Sequence, residues 1–279
     1  MRRADAVRLV ALAAIWGASF LFMRVAAPAL GPLATADLRM LTAGGALAAW
    51  FSFTRFDPQW HRWWRYYLLI GSLTSAAPFL LWAYAALELS AGLLAVINAT
   101  SPMWGAVLSA LVLKDRLTAR RSAGLLLGVA GVAVVCGPQA ASGWTGMAAA
   151  LAAAFCYGLA GVVMRRWSRD ATARGMAVGT QVMGGLLFLP LLALAPPPAL
   201  SAPALASVLA LGIVCTGIAY LLYFRLIADL GPTSALTVTY LIPPFGVLWG
   251  ALFLGEPLTA GTLIGAVIVI FGTVLVLRG

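Results

Sequence analysis

The chain has 279 residues, 63% of them hydrophobic and only 9% charged, with a formal net charge of +10. A soluble domain carries roughly a quarter of its residues as charges, so this composition excludes one and points to an integral membrane protein. The basic residues sit in short segments between apolar runs, which marks them as topology signals and argues against nucleic acid as a partner.

Apolar runs of about 20 residues, each enough to cross about 30 Å of hydrocarbon, recur along the whole length. Open strands leave backbone groups unsatisfied in lipid, so each run predicts a helix. Ten are expected, near residues 6–27, 33–53, 66–87, 92–113, 120–136, 144–164, 175–194, 204–227, 233–254 and 260–277. Breakers divide them: Pro28 and Pro32, Asp57-Pro58, Gly137-Pro138, Pro196-Pro197-Pro198, Gly231-Pro232 and Glu256-Pro257.

Helix 1 carries Trp16 and Ser19 at mid-depth. Its Arg2-Arg3 start and Ala26-Ala27 end resemble a secretory signal peptide, but the helix has a counterpart in helix 6, and removing it would leave halves of four and five helices. Helix 2 opens with Asp37 and Arg39. Unpaired charges at that depth are costly, so Asp37 is expected to pair with Arg24 or Arg39. Trp82 and Tyr84 fall in helix 3, and Asn98, Ser101 and Trp104 in helix 4, where Pro102 predicts a kink.

In the second half, Tyr157 lies in helix 6, Tyr220 and Tyr223 in helix 8, and Thr239 and Tyr240 in helix 9, where Pro243 and Pro244 predict a second kink. Trp50, Trp63, Trp64 and Trp144 lie near helix ends, as interface anchors do. The pairs Gly124/Gly128 and Gly261/Gly265 suit close packing of helices 5 and 10, between the halves or against a second copy in a homodimer. Cys136, Cys156 and Cys215 all fall in apolar segments, and an odd number there makes no disulfide framework. The single histidine, His61, is in an Arg/Trp-rich loop, so no metal or cofactor site is expected.

All the basic residues but Arg24 and Arg39 fall on one side of this arrangement, which predicts that side and both termini to be cytoplasmic. The two halves also repeat at one constant offset. Trp16 to Arg24 aligns with Tyr157 to Arg165, and Pro102 to Thr118 aligns without a gap with Pro243 to Thr259. The second alignment shares Pro102/Pro243, Gly105/Gly246, Ala110/Ala251, Leu111/Leu252, Leu113/Leu254, Leu117/Leu258 and Thr118/Thr259. Gly71/Gly212, Gly124/Gly265 and Gly131/Gly272 keep the same offset. Five helices per half is odd, so the second copy enters the membrane from the opposite face, and a central substrate cavity is expected between inverted repeats. The fold expected is therefore all-α integral membrane, with residues 1–137 and 143–279 as repeats and 138–142 as linker.

The stretches Ala14-Ile15-Trp16-Gly17-Ala18-Ser19-Phe20, Asn98-Ala99-Thr100-Ser101-Pro102 and Leu254-Gly255-Glu256-Pro257-Leu258-Thr259 resemble the ten-helix EamA-type branch of the drug/metabolite transporter superfamily. The likeness runs end to end. It implies two five-helix repeats around a cavity, alternating access, and export of metabolites or drugs, with most similarity to aromatic and neutral amino acid exporters. Tyr157-Gly158 in place of Trp-Gly, and Tyr240-Leu241-Ile242-Pro243-Pro244, depart from the pattern.

A cavity built from Trp16, Ser19, Tyr84, Asn98, Ser101, Trp104, Tyr157, Tyr220, Tyr223, Thr239 and Tyr240 suits a ligand with an apolar body and a polar head. Polar residues in membrane helices also serve as interhelical contacts. No Lys or Arg stands mid-depth in helices 3, 4, 8 or 9, which disfavours nucleotides, and no mid-span acid is available for proton coupling beyond Asp37. No P-loop, Ser–His pair or aspartate pair supports ATP-driven pumping or intramembrane catalysis. The function expected is secondary export of small amphipathic metabolites, neutral or aromatic amino acids foremost, from a bacterial inner membrane. A drug, lipid or sugar-nucleotide carrier and a non-transporting adaptor are the alternatives.

Overall fold

Helix α1 runs from Arg3 to Leu30. At a rise of about 1.5 Å per residue it is long enough to cross a bilayer with a turn to spare. Gly31 then adopts φ +79°, a conformation open to glycine at no steric cost, and Pro32 follows in the first turn of α2, Pro32–Ser52. The computed structural model describes residues 3–54, 56–136, 143–167, 170–194, 197–198, 200–231 and 235–278. The linker expected at 138–142 and the breakers Gly137-Pro138, Pro196 and Pro232 lie outside the described residues.

The remaining helices are α3 (Trp60–Ala85), α4 (Ala91–Leu113), α5 (Ala119–Cys136), α6 (Trp144–Arg166), α7 (Ala173–Leu194), α8 (Ala202–Leu230), α9 (Ile242–Leu254) and α10 (Ala260–Arg278). Among the described residues there is no strand. Among them, too, seven helices are long and apolar enough to cross a membrane, and α9 is a shorter apolar helix. The chain is a multi-pass membrane protein.

Three helices depart from the expected rods. Helix α3 begins at Trp60 rather than near residue 66. Its first turns carry arginines outward while Trp63 and Tyr67, one helical turn apart, are buried, so a search for apolar runs passes over them. Helix α4 is two segments, Ala91–Asn98 and Ser101–Leu113, with Ser90 capping the first and Pro102 in the first turn of the second. Helix α9 was expected from 233, but Leu236–Tyr240 form a tight 3-10 turn and the α-helix starts at Ile242. Pro243 and Pro244 have no N–H to donate, so they fit a first turn and not an interior.

Two segments widen into π-helix, Ser72–Ala76 in α3 and Ala210–Ile218 in α8. Such turns are frequent at functional sites.

In the assembled bundle, α1 packs on α8 and α9, α6 on α3 and α4, α2 on α7 and α8, and α3 on α7. The first segment of α4 meets α9, and the most extensive contact is α5 with α10. Glycines set that last distance: a Cβ on Gly124 would come 2.6 Å from Gly272 O, and one on Gly265 would come 2.7 Å from Gly131 O. The small-residue faces of α5 and α10 are thus turned to each other within one chain.

Candidate functional site

A cavity of about 610 Å³ lies between the helices, walled by residues of α1 to α6 and α8 to α10 together with the turn that precedes α9. Of the residues singled out in the sequence, Trp16, Ser19, Asn98, Ser101, Tyr157, Tyr220, Tyr223 and Thr239 line it, as does Pro102. Trp16 and Tyr223 stack obliquely with ring centroids 5.4 Å apart, and Phe20 meets Trp82 edge to face at the same distance. Ser101 Oγ donates to Asn98 O at 2.7 Å, bridging the break in α4. The wall thus combines seven aromatic rings with aliphatic and small residues, several hydroxyls, one amide, and the charged groups of Arg39, Asp115, Arg121 and Arg165.

Tyr84, Trp104 and Tyr240 are not on this wall, nor are Pro243 and Pro244. Tyr84 is 41% exposed on the outer surface of α3. Trp104 turns toward α6 and packs edge-on against Phe155 at 5.6 Å. Helical spacing gives a residue's depth more readily than its direction.

The wall also contains residues that sequence reasoning passed over. Thr74, Cys215 and Thr216 come from the two π-helical segments and Phe79 from the turns after the first, where it stands on the wall beside Trp82, which the sequence already offers in helix 3. Arg39 of α2 is 5% exposed and faces the cavity. Its Nε donates to Thr216 Oγ1 at 3.1 Å, its Nη1 stands 4.0 Å from Met23 Sδ, and its Cζ lies 3.8 Å from the Phe79 ring centroid. Arg39 comes from a helix outside α3, α4, α8 and α9, the four searched for a cation, as do Arg121 and Arg165 at the Asp115 end of the wall. A charge inside a span with no acid at helical spacing was the signal available.

The expected pairing of Asp37 with Arg24 or Arg39 is not formed. Asp37 is fully buried, and neither carboxylate oxygen has a hydrogen-bond partner. Residues two apart on a helix do not face each other, which keeps Arg39 away. Arg24 is taken elsewhere: its Nη1 donates to Ala86 O at 2.8 Å and its Nε stands 3.5 Å from Glu256 Oε1.

That second contact is one of two alike. Lys114 and Gly255, which occupy equivalent positions in the two halves, both adopt a left-handed conformation that ends α4 and α9 (φ 59° and 64°). Each turn carries an acid just beyond it, Asp115 or Glu256. Asp115 receives two hydrogen bonds from Arg165, one of them at 2.9 Å from Nη2 to Oδ1. The Arg165 hydrogen bond holds the Asp115 carboxyl below the usual carboxylate range. Glu256 meets Arg24 and also accepts from Ala91 N at 2.9 Å and Gly92 N at 3.4 Å, where a helix start attracts negative charge. Glu88 caps α6 likewise, accepting from Gly146 N at 2.8 Å and from the Thr145 hydroxyl.

The cavity extends to Asp115, Arg121 and Arg165 but not to Arg24, Glu88 or Glu256. It therefore reaches one of these ion pairs and stops short of the other.

The EamA-like transporter family matches residues 6–137 and again residues 144–278. The chain belongs to the EamA-like transporter family. Membership places it among membrane transporters of the drug/metabolite superfamily and not among enzymes, with a small molecule as its cargo. A WAT1-related chloroplastic protein of Arabidopsis thaliana is 28% identical over 94% of this chain and 66% of its own length, so the chain spans just under two thirds of that relative. A probable terminal-alkyne amino-acid exporter of Streptantibioticus cattleyicolor is 27% identical over 75% of this chain and 72% of that protein. A solved crystal structure that is 19% identical superposes with a TM-score of 0.70, covering 99% of this chain and 96% of that one, a likeness of fold.

Proposed function

We propose that this EamA-family chain is a secondary transporter that exports small amphipathic metabolites, neutral and aromatic amino acids foremost, by alternating access. The observation that carries the reading is the aromatic cavity, which reaches the Asp115–Arg165 pair while Arg24–Glu256 lies off its wall. Trp16, Tyr157, Tyr220 and Tyr223 would hold the apolar body of the cargo. Ser19, Asn98, Ser101 and Thr239 would meet its polar head.

Alternating access here rests on two inverted repeats, residues 1–137 and 143–279. Exchanging α1 with α6, α2 with α7, and so on, turns the α1–α9 contact into α6–α4, α1–α8 into α6–α3, and α2–α8 into α7–α3. The contacts α2–α7, α4–α9 and α5–α10 map onto themselves. The same exchange relates Arg24–Glu256 to Arg165–Asp115, which become an outer and an inner gate. The concentration of arginines at the Asp115 end supports a cytoplasmic opening and cytoplasmic termini, in a bacterial inner membrane. The amino-acid exporter among its relatives supports the class of cargo.

The test is flux. Purified protein in liposomes should take up labelled Phe, Met or Leu, and Trp16→Ala should abolish uptake while the melting curve and elution volume stay those of the wild type. No flux for any amino acid would overturn the substrate class and leave a drug, lipid or sugar-nucleotide carrier on the same cavity.

A further inference from the structure

The cavity holds a cation whose charge nothing on the wall answers. Arg39 is buried in the middle of the bundle, yet its partners are a hydroxyl, a thioether and an aromatic face, all uncharged. Among the described residues no carboxylate forms an ion pair with it. The one carboxylate among the described wall residues is Asp115, which is committed to Arg165. A guanidinium carries five N–H donors in a fork suited to a carboxylate, and only the Nε of Arg39 has a full-strength partner. An ionised side chain inside a span is costly unless it is compensated, and such residues mark substrate paths.

Two further donors point the same way. Ser19 Oγ and Trp82 Nε1 are buried side-chain atoms on the cavity wall that make no hydrogen bond of full geometry, Ser19 standing beside the Cys215 thiol and Trp82 beside the Tyr157 hydroxyl. A guanidinium, an indole N–H and a hydroxyl are a donor set that an anionic oxygen would satisfy. Among the described wall residues no carboxylate is free for an ammonium group, for which the rings of Trp16 and Tyr157 are the available attraction.

We propose that Arg39 is the anchor for a carboxylate on the cargo, and that the site accepts apolar-bodied monocarboxylates whether or not they carry an α-amino group. Beside Arg39 one guanidinium balances one negative charge, which suits a monoanion; the other arginines of the wall, Arg121 and Arg165, stand at its Asp115 end. The inference rests on the carrier reading for the use of this cavity and narrows its substrate class.

The experiment is ligand-induced thermal stabilisation of the purified protein in detergent, with three probes that share one body: 3-phenylpropanoate, its primary amide, and 3-phenylpropylamine. The acid should stabilise the wild type at concentrations about tenfold lower than the amide, the scale of one charge-assisted pair, with the amine weakest. Arg39→Gln should bring acid and amide to parity, and Arg39→Lys should retain part of the preference. Stabilisation by the amide equal to that by the acid, no stabilisation by the acid at all, or an Arg39→Gln protein that keeps the acid preference would each overturn the proposal. Should Arg39→Gln fail to fold, the wild-type comparison and Arg39→Lys decide it. Acid binding without amino acid flux would sink the amino acid reading alone, and amino acid flux without acid discrimination would sink this one alone.

Discussion

Glu256 stands 3.5 Å from the Arg24 guanidinium while its two oxygens also receive the Ala91 and Gly92 amides. One carboxylate thus ties the end of α9 to α1 and to the start of α4. The Glu256 side chain is 14% exposed, so solvent screens the contact little. Glu256→Gln should lower stability by about 1–3 kcal/mol. It should also make a cysteine at Met23 react faster with a membrane-impermeant thiol reagent from the outer side, in a background lacking Cys136, Cys156 and Cys215. The swapped pair Arg24→Glu with Glu256→Arg should recover part of both losses. Unchanged labelling in Glu256→Gln would remove this contact from the list of gates.

The corresponding pair at the other end is exposed, with Arg165 at 59% and Asp115 at 25% of side-chain area. Asp115→Asn should therefore change the melting temperature little, while altering the rate of uptake. Because the folded-state pKa of Asp115 is depressed, the pairing is fully present above the ordinary carboxylate value and is lost as pH falls through the lowered one. Cross-linking between cysteines placed at positions 116 and 166 should be constant from about pH 5 to pH 8 and change only below about pH 4.

Asp37 gives a prediction opposite to the one its sequence suggests. A paired carboxylate should lose stability on conversion to Asn. A buried carboxylate whose oxygens have no partner should not, since burying an unanswered charge is itself unfavourable. Asp37→Asn should melt no lower than the wild type. A clear drop in the detergent melting curve would show that the carboxylate is held by a contact formed in another state.

Gly124→Leu should separate α5 from α10. The first carbon alone would lie 2.6 Å from the Gly272 carbonyl, and overpacking of this kind costs about 1–3 kcal/mol. The cavity wall lies mainly on other helices, so loss of stability should exceed any change in acid-over-amide selectivity in the protein that remains folded.

Much of the fold was legible because hydropathy reports depth. The rods from α5 to α8 and α10 begin and end close to their expected positions, and the constant offset between Arg24 and Arg165 already tied α1 to α6. What hydropathy cannot report is azimuth. Trp16 and Tyr157 face the cavity while Trp104, equally deep, turns to Phe155. Arg39 was legible as a charge within α2 but not as a wall residue, since its direction depends on which face of α2 meets α8. Trp60 to Arg65 escaped for the converse reason, because an amphipathic first turn carries too few apolar residues in a row to stand out.

The π-helical segment of α3 has a consequence for how this cavity can be altered. A π turn accommodates one residue more than the α-helical ladder around it, so Ser72–Ala76 acts as a phase shift between the two ends of α3. Deleting one residue there would let the ladder close regularly and leave Phe79 and Trp82 still facing the chamber. Closing the ladder with every residue kept would instead rotate everything beyond it by about 100°, swing both rings out of the chamber, and take from Arg39 the ring on which it rests.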